Sequence, residues 1–317
     1  MISFDVLYYN NTNDTNDTNN TVFLSSSALF VKSNFPKVLS KGIDYYLAGL
    51  WEGDGYIVLP SIDIHGILKN TPCMCITANY KQLPLFKVFE HEFGGWIRYK
   101  TKENAIVWTI TAKADLLKIV TLINGKIRSP KLYQFNLLID YVNKIFPSVQ
   151  LIKHPVDCSS FFENYWLAGF IDANGNFKIR YTKGSVNLQT GRKTKQRIAL
   201  SFTIEQHKNH LITNSSFEPF MKNIADFFTV NLRTSKHSKV EYWLVEVSSL
   251  SFMQILVKYL SVYPLLTTKR NNYSDFSKAF HIILANQHQT PEGKKTLLSL
   301  KNGMNRQRTV YNWDHLN

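Results

Sequence analysis

Two nine-residue segments, 120 residues apart, contain the residues of this chain best suited to chemistry. Residues 47–55 read LAGLWEGDG, and residues 167–175 read LAGFIDANG. The eighth position is Asp54 in the first segment and Asn174 in the second. A carboxylate can hold a divalent cation, whereas a side-chain amide presents an oxygen without formal charge. Any chemistry that the two segments share is therefore unequal between them.

The repetition itself predicts the architecture, because a repeated motif indicates a repeated structural unit. Each segment follows an aromatic pair and precedes a stretch that alternates as a strand does. Glycine inside a helix costs about 1 kcal/mol relative to alanine, and close approach to a second helix would explain it. We therefore expect two helices that end at Gly55 and Gly175 and place their eighth residues side by side. The small residues of the predicted helix interface are Ala48, Gly49, Ala168 and Gly169.

The segments that follow each motif also correspond between the halves. Each half shows a strand, an amphipathic helix, a pair of strands and a second helix. The predicted elements are 56–59, 83–93, 96–101, 106–111 and 114–123 in the first half, and 176–180, 217–228, 230–235, 242–247 and 250–260 in the second. With a further strand after the first, each unit is αββαββα. The sequence thus predicts an α+β fold of two pseudo-symmetric repeats with antiparallel sheets.

Composition and periodicity divide the chain into four parts. Residues 1–35 are rich in Asn, Thr and Asp, and we expect them to be disordered or loosely packed. The first repeat is predicted over 36–148, and a Pro-containing, poorly periodic linker over 149–160. The second repeat then spans 161–317 and includes a helical tail.

Cysteine content and hydropathy exclude several classes of protein. Cys73, Cys75 and Cys158 are too few for a disulfide framework and lack the spacing of a zinc knuckle. No apolar run approaches the roughly 18 residues that a membrane span needs. We therefore expect no membrane partner.

The chain is strongly basic, with 37 Lys and Arg against 23 Asp and Glu, a net charge of +14 and a pI near 9.5. A polyanionic partner would explain this excess, although a merely basic surface is the alternative. Basic residues recur at a period of two on the predicted strands, which projects them from a common surface. They are Arg98, Lys100 and Lys102 in the first half, and Lys178, Arg180, Lys193, Lys195, Arg197, Arg233 and Lys239, with His237, in the second. Their recurrence in both halves favours nucleic-acid binding.

The two motifs, their spacing and the strands after them resemble the LAGLIDADG homing endonucleases and maturases, which group I introns encode, often in mitochondria. Residues 301–306, KNGMNR, are also similar to the closing segment of the two-repeat members. The resemblance covers about residues 36–310. It implies a monomer whose two sheets form a saddle along a long double-stranded DNA site or group I intron RNA, and a mitochondrial location.

The resemblance also implies roles for individual residues. Asp54 and Asn174 occupy the positions that bind a divalent metal, expected to be Mg²⁺, at the two scissile phosphates. Lys131 and Lys269 match basic residues that stabilise charge during cleavage in these enzymes. Phosphate contact or plain surface exposure are the alternatives for both lysines.

Asn174 departs from the family pattern, because a neutral amide weakens metal binding and cannot accept a proton from water. Glu52 and Asp172 stand two residues before the eighth positions. Residues two apart on a helix do not share a face, so we expect neither to substitute. The sequence therefore favours an RNA maturase that assists splicing of its own intron, with impaired DNA cleavage. The alternatives are an active or nicking homing endonuclease and a non-catalytic DNA-binding regulator.

Overall fold

The computed structural model describes residues 42–65, 67–186 and 189–316, so the segment 1–35 lies outside the described residues. The first half begins with the helix of the first motif. Its elements are α1 (Ile43–Asp54), β1 (Gly55–Val58), β2 (Ser61–Ile62), β3 (Leu68–Lys69), β4 (Cys73–Asn79), α2 (Leu83–Phe93), β5 (Trp96–Lys100), β6 (Ala105–Ile110), α3 (Lys113–Ile123) and α4 (Leu132–Ile145).

The second half repeats this order and adds a C-terminal helix. Its elements are α5 (Trp166–Asn174), β7 (Gly175–Thr182), β8 (Ser185–Val186), β9 (Lys193–Thr194), β10 (Arg197–His207), α6 (Glu218–Phe227), β11 (Arg233–His237), β12 (Val240–Val247), α7 (Leu250–Val262), α8 (Lys269–Leu284) and α9 (Pro291–Asn302). The predicted α+β class with two pseudo-symmetric repeats is therefore confirmed.

Each half contains one four-stranded antiparallel sheet. The strand orders are β1-β4-β6-β5 and β11-β12-β10-β7, so the strand that follows the motif helix lies at a sheet edge in both halves. Gly55 pairs with Ile76, and Gly175 pairs with Ile204. Aligning these two pairs shows which residues occupy equivalent positions in the two sheets.

Apart from α9 in the C-terminal tail, each half has one helix more than the predicted αββαββα unit. The additional helices are α4 and α8, which begin immediately after or at the predicted site lysines. In α4 the side chains of Phe135, Leu138, Ile139 and Val142 are fully buried. Their spacing places them on one face, and burial of that face stabilises the helix against the core.

Three basic residues do not lie on the sheet surfaces where they were predicted. Lys195 lies between β9 and β10, so the predicted single strand through Lys193, Lys195 and Arg197 is two strands. Lys102 lies in the 3₁₀ turn Thr101–Glu103, and Lys239 lies in the turn between β11 and β12. The β5–β6 hairpin closes through Asn104 (φ 49°), and the β11–β12 hairpin closes through Ser238 (φ 56°). At each turn the side chains stop alternating between the two faces of the sheet.

The main hydrophobic core runs through both halves and includes the two motif helices. Trp51 of α1 and Trp166 of α5 are among its largest fully buried side chains. Trp166 stacks on Phe170 with a centroid separation of 5.1 Å. The motif helices are thus central elements of the core, and they position the candidate site at its edge.

Candidate functional site

Helices α1 and α5 meet at backbone contact. A Cβ added to Gly49 would lie 2.0 Å from the carbonyl oxygen of Trp166, and one added to Gly169 would lie 2.0 Å from that of Tyr46. Gly53 faces the Cβ of Ala173, which its own added Cβ would approach to 2.1 Å. Ala48 and Ala168 are also fully buried. The glycines are therefore required by close packing of the two helices.

Both motif helices end at the same edge of the core. The backbone N–H of Gly55 donates to Trp51, and that of Gly175 donates to Ile171, which closes each helix at its glycine. The Nδ2 atom of Asn174 lies only 3.5 Å from the position of an added Gly53 Cβ. Asn174 therefore lies next to the end of α1 that carries Asp54.

The Asp54 side chain is open to a cavity of about 360 Å³ at the end of the helix pair. Other residues that line this cavity include Lys81, Gln82, Asn176, Lys269 and Arg306. Desolvation by the surrounding protein raises the pKa of Asp54, and the charges of Lys269 and Lys131 act against that rise. Among the described residues no group donates a hydrogen bond to this carboxylate. Its oxygens are therefore available to an external ligand.

Lys131 and Lys269 occupy equivalent positions at the C-terminal ends of the motif helices. The Nζ of Lys131 donates to the carbonyl oxygens of Gly55 (2.7 Å) and Trp51 (3.3 Å). The Nζ of Lys269 donates to those of Ala173 (2.6 Å) and Ile171 (3.2 Å). Burial lowers the pKa of both lysines to about 8, and nearby carboxylates oppose the shift. A cation placed here also interacts favourably with the helix dipole.

Glu52 is a buried structural anchor. Its carboxylate accepts hydrogen bonds from the backbone N–H groups of Arg128 (2.9 Å) and Ser129 (2.6 Å). It also accepts one from the indole Nε1 of Trp166 (2.9 Å), across the helix interface. Glu52 thereby ties α1 to α5 and to the loop that leads into Lys131. The sequence suggested no such role.

Asp172 does the same in the second half. It accepts hydrogen bonds from the backbone N–H of Leu266 (2.8 Å), from Thr267 and, across the interface, from the Tyr46 hydroxyl (2.7 Å). Burial raises the pKa of Asp172, and these hydrogen bonds lower it in part. Its oxygens are engaged by protein donors, which leaves Asn174 without a replacement carboxylate.

The environment of Asn174 differs from that of Asp54. The Asn174 Nδ2 atom donates to Oε1 of Gln206 at 2.9 Å, an arrangement that a carboxylate could not make. On the Asp54 side of the site, Gln82 donates to the Thr268 hydroxyl at 2.8 Å and accepts from the Thr268 N–H at 2.9 Å. The Gln82–Thr268 contact joins the two halves beside Asp54. A sequence reading could not find it, because the two residues are 186 positions apart.

The outward face of the second sheet carries exposed cations. Lys178 and Arg180 of β7 alternate with buried residues and lie opposite Ser201 and Ala199 of β10. By register, the same face presents Arg197, Arg233 and His237. Carboxylates partly offset this charge: Glu246 lies 3.4 Å from Arg233 and 4.0 Å from Arg180, and Glu205 lies 3.1 Å from His237. Lys193 and Lys195 are exposed on and beside the β8–β9 hairpin.

The corresponding face of the first sheet is mostly apolar. Cys73, Cys75 and Val107 form a small buried cluster on it, with Val58 packed alongside. Tyr56 and Trp96 extend from this face and are 39% and 47% exposed. Its basic residues are Arg98, which lies opposite Val107, and Lys100, which pairs with Glu103 at 3.1 Å.

Two further features bear on partners. Within residues 42–65, 67–186 and 189–316, no cluster of three or more His, Cys, Asp or Glu side chains is arranged to hold a metal ion by itself. No helix in these ranges is long and apolar enough to cross a membrane.

Comparison with known proteins gives a consistent family. The family model described as LAGLIDADG endonuclease matches residues 167–280. The intron-encoded DNA endonuclease aI3 of Saccharomyces cerevisiae is 27% identical over 98% of this chain and 78% of its own length. The probable intron-encoded DNA endonuclease aI1 of Mycosarcoma maydis is 33% identical over 37% of this chain and 95% of its own length. The intron-encoded RNA maturase bI4 of S. cerevisiae is 31% identical over 43% of this chain and 19% of its own length.

Solved structures show the same fold. The I-SmaMI LAGLIDADG homing endonuclease bound to cleaved DNA superimposes with a TM-score of 0.63 at 20% identity, over 84% of this chain and 98% of that one. I-SmaMI bound to uncleaved DNA in the presence of calcium ions gives a TM-score of 0.59 at 20% identity, over 82% and 98% of the two chains.

Proposed function

This chain belongs to the LAGLIDADG family of intron-encoded endonucleases and maturases, and we propose that it binds group I intron RNA and assists splicing of the mitochondrial intron that encodes it. In this proposal the protein acts as a monomer, because its two halves already supply the pseudo-twofold symmetry. Metal-dependent DNA cleavage is impaired at Asn174, the C-terminal residue of α5.

The observation that carries the proposal is the hydrogen bond from the Asn174 amide to Gln206. This amide stands where the other half has the open carboxylate of Asp54. The nearest acid on α5, Asp172, is buried and engaged by Leu266, Thr267 and Tyr46. Cleavage at this end lacks the negative charge that a divalent cation requires, whereas RNA binding does not need it.

The exposed basic residues support the binding part of the proposal. Lys178, Arg180 and Arg197 can neutralise phosphates of RNA or duplex DNA, because that contact is electrostatic and independent of sequence. A relative named as an RNA maturase matches 43% of this chain, which supports RNA as a partner.

A divalent cation fits the Asp54 end better than the Asn174 end. Asp54 offers an acceptor-only carboxylate without a described protein donor, and cavity residues and phosphate oxygens would complete the shell of an ion such as Mg²⁺. When bound, such an ion supplies charge stabilisation at the phosphate and orients water. The protein's own part is performed by Lys269, whose side chain lines the same cavity with its Nζ on the carbonyl oxygens of Ala173 and Ile171, and whose charge can stabilise a bound phosphate.

A second candidate function is a strand-specific DNA nickase. The open Asp54 carboxylate beside Lys269 favours it, since one complete site is enough to cut one strand. A relative named as a DNA endonuclease matches nearly the whole chain, which supports DNA as a second substrate class.

Splicing of precursor RNA that contains the encoding intron tests the first function. We expect the purified full chain to raise the splicing rate, and Asp54→Asn to retain that effect because splicing assistance does not use the metal site. An unchanged splicing rate in the presence of wild-type protein would contradict the maturase function.

Cleavage of a DNA duplex that spans the intronless exon junction, with each strand labelled separately and Mg²⁺ present, tests the second function. We expect one strand to be nicked or neither to be cut. Efficient double-strand cutting by the wild-type chain would show that Asn174 does not impair the site.

A further inference from the structure

The cavity at the Asp54 end gathers more positive charge than Asp54 can balance. Lys81 from the first half and Lys269 and Arg306 from the second line it. Asp172 also lines the cavity, but its oxygens already accept protein hydrogen bonds. Among the described residues, the Arg306 side chain has no hydrogen-bond or ion-pair partner, and the Lys81 ammonium group has only the ring of Tyr311, whose centroid is 5.7 Å away. Because Lys269 already donates to the carbonyl oxygens of Ala173 and Ile171, two cations without such acceptors, Arg306 and Lys81, face the free carboxylate of Asp54.

Arg306 is held at this cavity by a C-terminal segment that is anchored on both sides of it. The Asn305 N–H donates to Oδ1 of Asn272 at 3.0 Å, and Asn305 Nδ2 donates to the carbonyl oxygen of Phe177 at 3.0 Å. On the other side, Nε of Arg308 donates to the same Asn272 oxygen at 3.1 Å. These contacts fix the backbone around Arg306 and leave its guanidinium exposed.

The first half uses its corresponding segment differently. After α4 the chain returns to the loop before that helix, where the Asp157 N–H donates to Ile127 at 2.9 Å and the Asp157 carboxylate pairs with Arg128 at 2.7 Å. The C-terminal segment therefore adds the cation of Arg306 to the cavity beside Asp54. Like the replacement of a carboxylate by Asn174, this makes the Asp54 side of the site different from the Asn174 side.

We propose that Arg306 and Lys81 form a phosphate-binding pair that holds one phosphodiester of a bound DNA strand beside Asp54. This inference rests on the proposed nucleic-acid binding and goes beyond it by naming the strand position that is held. A guanidinium can bind a phosphate with two parallel hydrogen bonds, and an ammonium group adds a point charge. Both residues position the strand, and neither takes part in making or breaking a bond.

The test needs a defined duplex, which is obtained by selecting a random double-stranded DNA library on the full chain at low salt. Variants of that duplex then carry one uncharged methylphosphonate linkage at successive positions of each strand. Affinities are measured for wild type, Arg306→Ala and Lys81→Ala. Lys295→Ala is the matched control, because it removes an exposed cation of α9 that does not line the cavity.

We expect Arg306→Ala to weaken binding of the unmodified duplex about tenfold, as for removal of a charge-assisted hydrogen bond. The slope of log affinity against log salt should fall by about one. The weakening should vanish for the duplex whose neutral linkage removes the contacted phosphate. Lys81→Ala should lose its effect at the same or the adjacent linkage, while the effect of Lys295→Ala should be the same for every linkage.

Two results would overturn the pair without touching nucleic-acid binding itself. One is a weakening by Arg306→Ala that is of equal size at every linkage. The other is coupling of Arg306 and Lys81 to phosphates on opposite strands. Failure of the selection to recover any bound duplex would instead contradict DNA binding itself, and the proposed phosphate-binding pair would then be contradicted as well.

Discussion

The two sheets share one topology, yet the faces that point away from the core differ in chemistry. Aligned through the pairs Gly55–Ile76 and Gly175–Ile204, apolar or thiol side chains of the first sheet stand where the second has polar or charged ones. The matched positions, first sheet before second, are Tyr56 and Asn176, Val58 and Lys178, Cys73 and Ser201, and Cys75 and Thr203.

The difference shows which side of the sheet the fold constrains. Inward-facing residues such as Ile57 and Phe177 are buried in both halves, because they pack on the common core. The outward faces have no such restriction, and each half can contact nucleic acid by its own chemistry. The second sheet is suited to phosphates, and the first to apolar contact with bases.

The largest effect should come from the feature in which the halves are alike, the helix interface. Gly49→Ala and Gly169→Ala each force a Cβ onto a backbone carbonyl, so each should cost about 3 kcal/mol of unfolding free energy. Urea denaturation measures this destabilisation. Gly303→Ala is the control, because its Cβ would lie no nearer than 3.6 Å to another atom. Destabilisation by only one of the two substitutions would show that the two glycines are not equivalent in the interface.

The next effect should appear where the halves differ by one side chain. Asn174→Asp restores a charged ligand, and we expect cleavage of the strand at that end to rise by about 100-fold, the usual worth of one charge-stabilising group. Asp54→Asn should abolish residual nicking. Single-turnover assays with separately labelled strands measure both. If Asn174→Asp leaves both strands unchanged, the asymmetry between the ends has another cause.

The two sheet faces should differ in their response to salt. Replacing Lys178, Arg180 and Arg197 by Ala should lower the slope of log affinity against log salt by about 0.9 for each phosphate that is no longer neutralised. Replacing Tyr56 and Trp96 by Ala should weaken binding without changing the slope, because they carry no charge. Equal slope changes for the two sets of substitutions would show that the two sheet faces do not differ in their contribution to phosphate binding.

The smallest effect should be the pH dependence of stability that the site lysines contribute. Their pKa values of about 8 lie below the ordinary 10.5, so between these values the unfolded chain binds more protons and stability rises with pH. Below pH 8 the contribution is constant and unfavourable. Lys131→Met and Lys269→Met should each remove a rise on the order of 1 kcal/mol, after allowance for solvent screening. Unfolding free energies measured at pH 8 and pH 10 test this, with Lys295→Met as the control. A different change in pH dependence for Lys131→Met and Lys269→Met would show that the two lysine sites are not equivalent.

Local periodicity predicted much of the fold, including α2 at 83–93, because hydrophobic spacing reports helix and strand directly. It failed where a short backbone feature interrupts an alternation. Lys195 and Lys239 fit a period of two in the sequence, but a break between β9 and β10 and a turn after His237 displace them from the sheets.

The site was predictable only in part, for a physical reason. Asp54, Asn174, Lys131 and Lys269 were found through the repeat and the family resemblance, and the structure places all four at one end of the helix pair. The anchoring of Glu52 and the contact between Gln82 and Thr268 depend on tertiary pairing between distant segments. Periodicity contains no record of such partners.

The crossed hydrogen bonds of the motif helices also make each half a poor partner for a copy of itself. Glu52 accepts a hydrogen bond from the Trp166 indole. Asp172, whose side chain is one methylene shorter, accepts one from the Tyr46 hydroxyl, which extends further from its backbone. In a hypothetical homodimer of the first half, Tyr46 would face Glu52, and the acceptor would be one methylene too long. Recombination that exchanges halves between related genes must therefore preserve the pairing of the acid with the aromatic donor opposite it, which limits the viable chimeras.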